Sequence, residues 1–451
     1  MKKFLGLCLL SVLFLSGLAA DAANSIDKAI KSSGLNKSVI SVSLRDLKTG
    51  KETYHLNANK PLNPASTQKL LTFAASLDTL GADYVFSTEL YKSTNNDLYF
   101  KLAADPFLTS KDIKNLLATA KSKNIIEPKT IYIDDYVLDS EYWGEGWQWD
   151  DNLNSLMPKF GSYNLDKNLI KIIVKPTSAG APAEIYPEVF YPIGFVNLVS
   201  TADQNYVKLS HNQTISPNLI QADGTVQKYM TIQIPVENIK RYFRLRLEDA
   251  LADSKVLYYG KIYQKKLPKE NVYLVDKVEH NMDMASKEIL QKSNNMVAET
   301  VFKLAGGKYV NNTGSINSAL GMLAEFCKKY DLPYENIKIV DGSGVSKNNL
   351  MTSNFMTQFL FDETKSENYE YFKASMAYPG VGTLANRMIY FGDNLQAKTG
   401  TLSNVSAMAG YIKTRRGNQY AFDIMINDPK TTSDKKKMAE EIILRSIYLD
   451  Y

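Results

Sequence analysis

Cysteine usage limits what this chain can fold into more than any other feature. It has 2 cysteines in 451 residues, and Cys8 lies within the apolar run that opens the sequence. Lys2 and Lys3 precede that run, which extends from Phe4 to Ala20, and Ala20-Asp21-Ala22 puts small residues where a signal peptidase reads. The pattern predicts a secretory signal cleaved after Ala22. The alternative, an N-terminal membrane anchor, is disfavoured because the run falls short of the ~20 residues a span needs. Cys8 follows Leu7 and makes a poor lipid-attachment site. Cleavage leaves Cys327 alone, so the exported chain forms no internal disulfide and its fold rests on core packing in large domains. No later segment reaches membrane length. A soluble mature protein outside the cytoplasm, secreted or periplasmic, is expected.

Hydrophobic residues make up 44% and charged residues 22% of the chain, which excludes a disordered or collagen-like protein, and 451 residues suggest two or three domains. The 53 Lys+Arg against 48 Asp+Glu leave a net charge of +5, too thin for a dedicated nucleic-acid binder. With 3 His and 2 Cys, a Cys/His metal cage is close to excluded.

Residues 39–46 alternate like a strand, Lys48-Thr49-Gly50-Lys51 turns the chain, and Glu52 to Leu56 begins the return. Apolar residues at helical spacing predict a helix from Ser66 to Leu80, with Gly81 as its stop. Short strands (Leu98–Leu102, Thr130–Ile133) and a helix Lys111 to Lys123 follow, then a Pro-, Gly-, Asn- and Thr-rich stretch, 176–240, with short β-like runs. Helical patterns return at Asn238–Ala252, 284–307 and 315–330. Strands at Asn394–Leu402, Ser406–Lys413 and Gln419–Asn427 precede a last helix, Ser433 to Tyr448. This order suggests one α/β domain split by a long insertion.

Ser66-Thr67-Gln68-Lys69 sets a hydroxyl and an amine on one face of the helix start. A neutral lysine can take the serine's proton, and the helix N-terminus with a nearby cation would disfavour the ammonium form. Ser433-Asp434-Lys435-Lys436 repeats the spacing in a charged run, where a solvated helix start explains it. Ser293-Asn294-Asn295 falls between two helical patterns, so it could aim a hydroxyl and a carboxamide into a cleft or simply cap the second helix. Ser93-Thr94-Asn95, Ser122-Lys123-Asn124 and Ser346-Lys347-Asn348 share that pattern. Lys398-Thr399-Gly400 begins a strand, where lysine and threonine could bind a carboxylate and the glycine admit a substrate backbone. Lys48-Thr49-Gly50 is the same triplet explained by turn chemistry. The order of the three motifs, each on the element its chemistry needs, carries more weight than any one.

With these motifs the chain resembles the D-alanyl-D-alanine carboxypeptidase/endopeptidase family, the class C low-molecular-mass penicillin-binding proteins. The matching stretches are Pro64–Leu71, Lys292–Glu299, Asp341–Ser346, Gly382–Leu384 and Lys398–Val405, with Gly146–Asp151 in the middle. The resemblance implies an α/β (α+β) penicillin-binding-protein/β-lactamase-like fold, an antiparallel sheet flanked by helices and interrupted by two nested insertions. The expected division is a signal at 1–22, a split catalytic domain at 23–84 and 276–451, an inserted α/β domain at 85–175 and 237–275, and a small β domain at 176–236.

The resemblance further implies acyl transfer without metal or cofactor. Ser66 would attack the carbonyl of a peptide bond following D-alanine in a peptidoglycan stem peptide, with Lys69 as base. Ser293 and Lys398 would return a proton to the leaving amine, and Asn295 would hold the substrate amide. The backbone N–H groups of Ser66 and Thr401 would hold the oxyanion, and losing one such donor costs roughly 3 kcal/mol of barrier. Thr399 with Lys398 would bind a terminal carboxylate, beside Gly400 and Thr401. β-Lactams would acylate Ser66 and stay as covalent inhibitors. Asp151 is a candidate contact for the stem peptide's amino group. Arg387, a weaker candidate, reads as a solvated charge, and the Asp341–Gly344 turn as structural. Two departures stand out: Asn294 replaces the frequent Asp of its triplet, and Ala103-Ala104 replaces glycines before Asp105-Pro106. A β-lactamase, or a non-catalytic peptidoglycan-binding protein retaining the fold, are the alternatives.

Overall fold

Five antiparallel strands bring the two ends of the chain into one sheet, in the order Leu395–Leu402, Val405–Lys413, Gln419–Asn427, Ile40–Asp46, Glu52–Leu56. The computed structural model describes residues 22–211 and 219–451. The expected signal lies outside the described residues except for Ala22, which is buried at the start of a helical stretch, 22–32. On one face of the sheet Ile26 and Ile30 of that stretch pack with Ile443, Leu444 and Ile447 of the last helix, Ser433–Asp450, over Val42, Leu44, Phe422 and Ile424. The other face meets helix Ser353–Glu363, and helices Lys69–Leu80 and Asn295–Val310 share the core on that side.

Ile40, Val42 and Leu44 supply the apolar half of the alternation read in the first strand, and the serines between them do not face water. Ser41 and Ser43 are fully buried and share hydrogen bonds with Ser353 (2.6 Å) and Thr357 (2.7 Å) of the facing helix. Hydroxyl pairing offsets the cost of burying these polar groups.

The insertion carries its own core beneath a five-stranded sheet ordered Ile262–Gln264, Ile131–Asp134, Leu98–Lys101, Val85–Ser93, Val272–Asn281, which packs on helices Ser110–Ser122 and Ile239–Ser254. Two three-stranded sheets follow. Leu169–Lys175, drawn from sequence into the α/β part, is the centre of one of them, between Met230–Pro235 and Glu184–Pro187. The boundary drawn at 276 also falls inside a strand, because Val272–Asn281 runs straight into helix Met282–Leu290. Ala104 takes a left-handed conformation (φ 52°), which explains why a glycine would suit that turn. No helix among the described residues is long and apolar enough to cross a membrane.

Candidate active site

Ser66 sits in a short 3-10 turn, Ala65–Gln68, that leads directly into helix Lys69–Leu80. The preceding Ala65 is buried with φ 47°, a left-handed strain for a residue with a Cβ, and the Asn63 carboxamide oxygen holds its N–H at 2.8 Å. Lys69 is fully buried. Its Nζ lies 2.8 Å from Ser66 Oγ, 2.7 Å from Asn295 Oδ1 and 2.6 Å from Ser343 O. Two of these partners are carbonyl oxygens that only accept. Asn295 Nδ2 donates to Leu156 O (2.8 Å), which fixes the carboxamide with its oxygen toward the amine. A neutral Lys69 therefore gives both N–H groups to the carbonyls and leaves its lone pair facing the serine hydroxyl.

Burial pushes the Lys69 ammonium down to about 7, against the opposing pull of Asp341 and Glu299. The helix N-terminus and a nearby cation are the causes expected from the motif. Desolvation is the leading cause at Lys69, and the repulsion between the two lysines appears on Lys398, held well below its usual range first by burial and then by Lys69.

Lys398 Nζ donates to Ser293 Oγ (2.8 Å) and to its own neighbour's carbonyl, Thr399 O (2.7 Å). Ser293 is presented from a left-handed residue (φ 62°) between two helices. Asn294 caps the second of them, its Oδ1 accepting from Val297 N at 3.2 Å, a task an aspartate does equally well. Strand Leu395–Leu402 is an edge of the sheet and lies against the nucleophile turn. A Cβ on Gly400 would come within 2.9 Å of Ser66 N and 3.0 Å of Pro64 O. The glycine is thus needed so that the strand can press on the serine's own backbone, a reason the sequence reading, which reserved the space for substrate, did not supply.

Thr399 is buried beside Lys398, whereas Thr401 is exposed and shares a cavity of about 350 Å³ with Asp151. Gln148, Asn154, Lys347 and Ser403 also line it. The Asp151 carboxylate has no hydrogen-bond partner among the described residues, so it faces this space unspent. Arg387 is not a solvated charge: it donates to the fully buried Glu440 (2.8 Å) and holds the last helix. The duplicate triplet Lys48-Thr49-Gly50 is a turn, with Asp46 Oδ1 accepting from Lys48 N, Thr49 N and Thr49 Oγ1.

Sequence reasoning missed the contribution of the turn 341–344. Ser343 O accepts from Lys69 and lies 3.4 Å from Ser66 Oγ. Asp341 behind it accepts from Gly344 N, Ser346 N, Asn349 Nδ2 and Trp147 Nε1 at 2.7–2.9 Å. The signal was the Asp-Gly-Ser-Gly run itself, whose tight turn exposes a carbonyl no side chain announces.

A family model, D-Ala-D-Ala carboxypeptidase 3 (S13), matches residues 22–446. The chain belongs to this family. A D-alanyl-D-alanine carboxypeptidase of Actinomadura sp. (strain R39) is 26% identical over 439 residues, 89% of this chain and 80% of that one. The fold is shared with penicillin binding protein 4 (dacB) from Haemophilus influenzae, at TM-score 0.81 and 23% identity, covering 91% of this chain and 96% of that one. The same protein complexed with a β-lactam matches at TM-score 0.77 and 22% identity, with 91% and 96% coverage. The family is one of serine D-Ala-D-Ala carboxypeptidases, and the fold is the penicillin-binding-protein type that the resemblance implies.

Proposed function

We propose that the protein is a serine D,D-peptidase that hydrolyses D-alanyl bonds of peptidoglycan stem peptides through an acyl-enzyme on Ser66. The observation that carries this reading is the set of partners around the Lys69 amine: among the described residues two are carbonyl oxygens and the third, the Ser66 hydroxyl, is the one able to give up a proton. Ser66 attacks the carbonyl as Lys69 takes its proton, and the oxyanion forms toward the N–H groups of Ser66 and Thr401. The Lys398–Ser293 pair supplies a proton to the departing amine, while Lys398 and Thr399 favour a terminal carboxylate on that side. Asn295 holds the substrate amide, water hydrolyses the ester, and Asp151 receives the stem peptide's amino group. In this reading residues 1–22 export the chain, residues 85–275 are broadly an insertion in a split catalytic domain, and the protein works outside the cytoplasm.

The test is covalent labelling with fluorescent penicillin, expected for the unaltered protein and absent from a folded Ser66→Ala variant. No labelling of the unaltered protein would indicate a non-catalytic wall-binding protein, and rapid turnover of the penicillin a β-lactamase. Digestion of muropeptides then separates two products by mass: loss of one terminal alanine marks carboxypeptidase action, and splitting of dimers marks endopeptidase action. Asp151→Ala is expected to lower kcat/KM for an amine-bearing stem peptide by about tenfold, the scale of one charge-assisted contact, and to leave penicillin acylation unchanged. Equal losses in both assays would make Asp151 structural.

A further inference from the structure

Glu299 lies one helical turn beyond Asn295, fully buried, and takes part in none of the steps above. Its two carboxylate oxygens accept from consecutive backbone N–H groups, Gly342 N (2.9 Å) and Ser343 N (2.8 Å). Those bonds fix the turn whose next carbonyl, Ser343 O, meets Lys69 Nζ at 2.6 Å. A buried carboxylate is costly unless its acceptors are filled, yet a helix-facing apolar side chain could pack here. The ionisable groups facing this cluster are Lys69 from the nucleophile helix, Asp341 from the turn itself and Lys398 from the edge strand. Lys303, one turn further along the same helix, is committed to Asp139 and to Glu141 O.

We infer that Glu299 is a positioning residue for the acylation step: it holds the Ser343 carbonyl against the Lys69 amine and so keeps that amine's lone pair on the Ser66 hydroxyl. One helix thereby carries both carbonyl-side anchors of the base, Asn295 directly and Glu299 through the turn. The negative charge also stabilises the Lys69 ammonium. Losing it, together with a displaced carbonyl, makes the ammonium easier to deprotonate while leaving the free amine misdirected.

This inference rests on the Ser66–Lys69 reading, and the experiment separates the two. The second-order rate of penicillin acylation is measured from pH 5 to 9 for the intact protein and for Glu299→Gln. The amide keeps one acceptor but turns an N–H toward the other backbone N–H. The expected result is a plateau lowered ten- to a hundredfold, with the acid limb moved to lower pH. A merely structural role would lower the melting temperature, scale the rate equally at every pH and leave the limb in place. Should the amide fail to fold, Glu299→Asp retains the charge at a shorter reach and is expected to lower the plateau about tenfold with the limb unmoved. A folded variant with an unchanged plateau, or a limb that stays put in Glu299→Gln, overturns the inference. Absence of acylation in the unaltered protein overturns the peptidase reading as well.

Discussion

Lys69→Met is expected to slow acylation of Ser66 by about a thousandfold at pH 8, within the range general-base catalysis contributes and equal to about 4 kcal/mol of barrier. Methionine fills the same buried channel without a proton acceptor, so the fold survives while the hydroxyl loses its base. The unaltered protein should show the complementary pH dependence. Its Lys69 is ammonium below about 7, and only the free amine accepts the hydroxyl proton. The rate should therefore fall about tenfold per pH unit below that point, the slope of a single deprotonation, and level off above it. A rate constant measured by penicillin labelling that remains flat down to pH 5, or a methionine variant within a few-fold of the original, would remove Lys69 from the role of base.

The second large effect is expected at Gly344, which has φ +75° and whose Cβ, if present, would lie 2.1 Å from Ala65 O. Gly344→Ala adds left-handed strain of about 1–2 kcal/mol and an overpacking cost of about 1–3 kcal/mol. The clash falls on backbone, and on the residue immediately before the nucleophile, so it cannot be relieved by a side-chain rotation. Thermal denaturation should register the lost stability, and acylation should drop by at least about a hundredfold, because small misplacements of reacting groups are that expensive. Gly417→Ala is the control: it has φ +87° and nothing within 4 Å of the added atom. It should lose about 1 kcal/mol from backbone strain alone and acylate normally. If both variants behave alike, backbone strain rather than contact with the Ala65 carbonyl explains Gly344.

Side-chain chemistry was legible in the sequence wherever the spacing lies within one element. Ser66 and Lys69 lie one turn apart where the 3-10 turn enters its helix, Ser293 stands two residues before Asn295 at the start of the next helix, and strand Gln419–Asn427 follows an apolar run broken only by Asp423. What carried no sequence signature was backbone geometry. The Ser343 carbonyl, the left-handed Ala65 and the pressure of Gly400 on the nucleophile turn all depend on where separate segments meet. Asp341 and Glu299 were visible as members of matching stretches, yet their burial side by side, where desolvation raises the Glu299 carboxyl while the two turn N–H groups favour its charged form, is a property of packing alone. Arg387 was misread for the same reason, since its partner Glu440 lies on the last helix. The division at 276 falls inside strand Val272–Asn281, which stays paired with Val85–Ser93 through a register shift between Leu274 and Asp276.

The placement of strand Ile40–Asp46 between Glu52–Leu56 and Gln419–Asn427 sets an order on maturation. As the polypeptide is synthesised, the insertion has all its strands by residue 281, whereas the sheet beneath Ser66 waits for nearly the whole chain. Non-local pairing of this kind is slow to form. Until the C-terminal strands arrive, the serine exists beside its amine but has neither the lysine of the edge strand nor a rigid floor. Under the proposed roles reactivity is the last property the molecule acquires, and a copy clipped before residue 395 lacks Lys398 and the whole edge strand.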